Sequence, residues 1–99
     1  MSSEEAVRAA DEIIRSAWAE EMLRCRAIMQ DAVQYARGCQ RVAQSALDSA
    51  ITDGDPTAIA AACTALADAT SAVNRSSAAA ETVLPVIERE LLACAVPID

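Results

Sequence analysis

Four cysteines and fifteen acidic residues are the groups that could do chemistry in this chain of 99 residues. Cys25, Cys39, Cys63 and Cys94 form no C-x-x-C pair, and no histidine is present to complete a zinc set with them. The commonest general base is therefore missing, and the Glu-x-x-His di-iron motif of helical bundles is impossible. Cys39 or Cys63 as a nucleophile has no activating partner in the sequence. The acid pairs Glu4/Glu5, Glu20/Glu21 and Glu88/Glu90 have arginines close by in sequence, which reads as solvated helix faces rather than acid/base dyads. No glycine-rich phosphate loop occurs. These residues predict a protein that is not an enzyme, holds no cofactor or metal, and keeps its thiols reduced and partly buried.

The charge narrows the partners. The formal net charge is −7, and every basic residue is an arginine. Nucleic acid and anionic lipid both call for a basic face, so neither is expected as a partner. Residues 1–51 carry six Arg against eight acids, and residues 52–99 two Arg against seven acids. An acidic second half suits a solvated face or a basic partner. The opening "MSSEEAVRAADE" lacks an apolar signal-peptide core, and no stretch is apolar enough to span a membrane. The expected location is cytoplasmic, or exported without a cleaved signal peptide.

Such a chain needs long elements to position anything. There are 24 alanines, two glycines and no phenylalanine, so helix is favoured throughout. Alternating β-branched runs bounded by turns are missing, which leaves strand without support. Ser2 or Ser3 can cap a first helix over about residues 3–51, with Glu4 and Glu5 in its first turn. Glu4 with Arg8, Asp11 with Arg15 and Glu20 with Arg24 have the i,i+4 spacing of helix-stabilising pairs. "TDGDP" then forms a corner over residues 52–55: Gly54 ends one helix, Asp55 caps the next and Pro56 starts it. A second helix follows over about residues 56–94, with a kink or short break near residues 82–84 ahead of Pro85. The last residues, "VPID", read as a frayed end.

The fold class is thus all-α: a long antiparallel two-helix hairpin forming one domain. The apolar positions of the first helix include an 11-residue repeat, Ile14, Cys25, Ala36 and Leu47, which predicts a nearly straight stripe. With the corner at residues 53–54, residue i faces about residue 107−i, and no cysteine meets another. Two rods side by side have no interior, so part of each stripe must stay wet. A homo-oligomer is expected, either a dimer forming a four-helix bundle or a helical polymer. Its expected interface is Ile14, Trp18, Met22, Cys25, Met29, Val33 and Leu47 on the first helix. On the second it is Leu66, Val73, Leu84, Ile87 and Leu91. The alternative is a small dimeric adaptor or chaperone that presents a Met/Trp groove to a partner helix.

"GDPTAIAA", then Leu66, Asp68, Asn74 and Ser77 at helical spacing, with "SALDSAI" before the corner, carry one further signal. Over residues 45–92 this order resembles the needle and inner-rod subunits of type III secretion systems. The resemblance implies a helical hairpin that polymerises into a hollow filament. The chain departs from the family pattern where Asp53 stands in the region of the corner's first proline. It departs again where Ala69 and Ala72 replace second-helix aromatics.

Overall fold

The computed structural model describes residues 2–95, and these form two helices, α1 (Ser3–Asp53) and α2 (Pro56–Ala95), packed as an antiparallel hairpin. The expected frayed end, residues 96–99, lies outside the described residues. The molecule is a rod of 78 × 19 × 13 Å with a radius of gyration of 22.4 Å. A compact chain of this length has a radius near 13 Å.

Local sequence accounts for both helix ends at the corner. Ser2 caps α1, its hydroxyl accepting from the Glu5 amide at 3.2 Å. Gly54 ends α1 in the left-handed region, at φ 73°. Its amide donates to the carbonyls of Ala50 at 2.9 Å and Ile51 at 3.2 Å. The Asp55 carboxylate accepts from the amides of Thr57 at 3.0 Å and Ala58 at 3.4 Å, which caps α2. Pro56, with no amide hydrogen to leave orphaned, opens α2. Only Gly54 and Asp55 lie between the helices, so α1 runs slightly past the expected corner start at residue 52.

Of the kink or short break expected near residues 82–84, no break occurs: α2 runs continuously through Pro85. Pro85 removes the amide that the Glu81 carbonyl would receive, but it lies on an exposed turn where water can substitute. Hydroxyls elsewhere turn back onto their own helix. Ser76 donates to the Ala72 carbonyl at 2.8 Å, so it sits half-buried with its polar group satisfied.

The packing period differs from the expected 11. On α1, every position stepping by four and three from Arg15 to Ala50 is buried or half-buried: 15, 19, 22, 26, 29, 33, 36, 40, 43, 47 and 50. That is a heptad seam, the pattern of a left-handed coiled coil. On α2 the same steps run from Ile59 to Cys94, with Val83 alone exposed, at 38%. The 11-residue series mixed two faces: Ala36 and Leu47 belong to the seam, whereas Ile14 is 65% exposed beside it.

The pairing is also displaced from residue 107−i. Trp18 reaches Glu90 rather than Arg89, and Gln40 reaches Thr70 rather than Ala67. Carried along the hairpin, this register sets Ala36 level with Val73, Ala43 with Leu66, and Ala50 with Ile59. It sets Leu47 level with Ala62 and Met29 with Ala80. A small residue thus stands opposite a larger one at level after level, which lets the helix axes approach closely. The hairpin's own core is slight: Val33, Ala36, Ala43, Ala50, Ala62, Ala80 and Ile87 are its buried residues.

Candidate interaction surface

Three of the α1 seam positions in its N-terminal half, Arg15, Ala19 and Arg26, are polar or alanine, and the side chains there do different work from those near the corner. Trp18 donates its indole N–H to Glu90 Oε2 at 3.0 Å. Arg26 pairs with Glu88 at 3.2 Å across the two helices. Arg24 pairs with Glu21 at 2.6 Å, three residues away, rather than with the expected Glu20. Arg26, Glu21 and Glu90 are half-buried and their partners Glu88, Arg24 and Trp18 are exposed, so each contact is open to water and contributes little to stability. Gln40 donates to the Thr70 hydroxyl at 3.2 Å in a part-buried layer, a polar contact that helps specify register.

The expected interface residues divide into two groups. Val33 and Ile87 are buried inside the hairpin, at 8% and 3% exposed, and cannot also face a partner. Met22, Met29, Leu47, Leu66 and Val73 are half-buried in the same internal seam. Ile14 and Trp18 remain exposed, at 65% and 45%, with Cys25 half-buried beside them. Leu84 and Leu91 are half-buried on the other flank of α2. Leu84 borders a shallow groove of about 570 Å³ between the helices, rimmed by Gln30, Gln34, Arg37, Glu81 and Glu88.

Exposed Ile28 (59%), Tyr35 (77%) and Val42 (71%) were missed as surface candidates in the sequence. They become legible once α1 is read at a spacing of seven. Val7, Ile14, Ile28, Tyr35 and Val42 fall on one heptad row, and Trp18, Cys25, Ala32, Cys39 and Ala46 on the row beside it. Together the two rows step by four and three, like the internal seam but displaced from it by one residue. Between residues 14 and 46 the only charged member is Glu21, which Arg24 already answers. α1 therefore carries two coiled-coil seams, one closed by α2 and one open. On the matching flank of α2, Ala58, Ala65, Ala72, Ala79 and Val86 continue the apolar surface.

Among the described residues no cluster of three or more His, Cys, Asp or Glu side chains could hold a metal ion. The four cysteines are free, with Cys39 and Cys63 exposed and Cys25 and Cys94 half-buried. Among the described residues no helix is long and apolar enough to cross a membrane. No protein-family model matches the chain, and neither a curated protein nor a solved structure shows significant similarity to it.

Proposed function

We propose that this chain is a non-enzymatic structural or interaction protein that self-associates through the open seam of α1. The observation that carries this reading is uncovered surface. The hairpin exposes 7077 Å². A compact fold of 10.4 kDa exposes about 5400 Å². Of its exposed large apolar side chains, Val7, Ile14, Trp18, Ile28, Tyr35 and Val42 line the open seam of α1, which is the pattern of a helix awaiting a further helix.

Sedimentation at micromolar concentration tests the reading. A concentration-dependent dimer or higher assembly is expected, and a folded monomer at all concentrations overturns it. Trp18→Ala should weaken association by about 2 kcal/mol, as for an aromatic interface anchor. An unchanged association constant would mean that the strip is not the contact.

A filament subunit of the secretion type is the form of this function that the resemblance over residues 45–92 implies. The tight Gly54–Asp55–Pro56 corner and the rod shape accord with it. Electron microscopy distinguishes the forms: polymers at high concentration favour a filament, and discrete particles favour a closed bundle. The adaptor alternative has less support, because Met22 and Met29 are drawn into the hairpin's own seam instead of forming an open groove.

A further inference from the structure

We propose that the open seam is closed by a second copy of this chain, with the two α1 helices antiparallel and Arg24 of each copy paired with Asp31 of the other. This rests on the self-association reading and specifies its geometry. The seam runs from Val7 to Ala46, about 60 Å at 1.5 Å per residue. The rod is up to 19 Å wide. Covering two-thirds of that face buries roughly 800 Å² per copy, the size of a standard stable interface.

Charge selects the register. Arg24 and Asp31 lie on the outer edge of the open seam, one heptad apart. In an antiparallel pair they meet reciprocally, giving two Arg–Asp contacts per dimer. Sliding one copy by a heptad in one direction sets Asp31 against Asp31, and in the other direction Arg24 against Arg24. Like charges disfavour both slips.

The same register places Trp18 level with Tyr35 of the second copy, Ile14 with Cys39, Cys25 with Ile28, and Val7 with Ala46. Glu21, neutralised by Arg24 of its own chain at 2.6 Å, meets only Ala32. Asp11 against Val42 is the one mismatched level, and it lies near the end of the overlap. The pairing also gives a role to the stretch of α1 that has no helix beside it among the described residues. Residues 3–14 are exposed throughout, and they would lie along the corner half of the partner's α1.

Two experiments on the full chain test the pairing, with circular dichroism confirming that each variant is helical. Arg24→Asp and Asp31→Arg should each weaken the dimer about tenfold, and the double variant should recover most of the loss. A double variant no tighter than the singles overturns the proposal. In the second, Ile14→Cys is introduced alongside Cys25→Ser, Cys63→Ser and Cys94→Ser, leaving Cys39 native. Mild oxidation should link the new thiol to Cys39 of the second copy, while the control that keeps Ile14 should stay uncrosslinked. Crosslinking of the control through Cys39 alone would mean parallel pairing and overturns the geometry. Dimers in sedimentation without any crosslink likewise overturn it but leave self-association intact. A monomer in sedimentation removes both.

Discussion

The half of the hairpin next to the corner and the half at its open end share one heptad seam but fill it differently. Near the corner, Ala36, Ala43, Ala50 and Ala62 are buried, and Leu47, Leu66 and Val73 stand opposite small residues. The one polar layer, Gln40 with Thr70, is hydrogen-bonded. Towards the open end the seam positions include Arg15, Ala19, Arg26 and Glu90, and Ile87 is the one large residue there that is nearly sealed. Alanines buried against larger partners hold two helices close and tolerate no added volume. Long polar residues at the same period keep the helices in line while leaving room and exposed area. A helix pair can thus be tight at one end and receptive at the other without any change in backbone pattern.

Removing the open half's single anchor should have the largest effect. Ile87→Ala is expected to cost about 3 kcal/mol, read by urea unfolding at fixed protein concentration. A cost near zero would mean that the open half has no packed core to lose. The contrast between halves is tested by making the same substitution in each. Ala43→Leu should cost about 2 kcal/mol through overpacking, whereas Ala19→Leu should change stability by less than about 0.5 kcal/mol because its level is half-open. Equal effects would abolish the distinction. Gly54→Ala should cost about 1 kcal/mol, since alanine resists the left-handed conformation at φ 73°. Smallest is Glu88→Ala: Glu88 is itself exposed, so losing its pair with Arg26 should cost under about 0.5 kcal/mol, measurable as a small salt-sensitive shift in the midpoint.

The corner was legible, but for its start at residue 52, because its signals are backbone chemistry: Gly54, Asp55 and Pro56 each have a conformational reason to stand where they do. The helices were legible for the same reason. The packing face was harder. Alanine adds little to a hydropathy pattern, so Ala43 and Ala50 looked no different from exposed alanines. Arg15, Arg26 and Gln40 occupy seam positions and so masked the heptad, while Ile14 and Trp18, on the neighbouring seam, are more conspicuous. Merging the two faces produced an apparent period of 11. It also hid Ile28, Tyr35 and Val42, which only a spacing of seven connects. What the resemblance over residues 45–92 implies is for electron microscopy to test.

The two-residue link has a kinetic consequence. The first seam level beyond it joins Ala50 to Ile59, so closing it constrains a loop of fewer than about ten residues and costs little chain entropy. Each later level adds only a short increment once the previous one is formed. Folding should therefore start at the link and run outward as a zipper, with unfolding beginning at the far end. Amide exchange should be slowest around residues 43–66 and fastest along residues 3–14. The open seam would then be laid down from its Ala46 end outward and be complete only when the Val7 end had formed, so that full pairing with a second copy would wait on folding rather than compete with it.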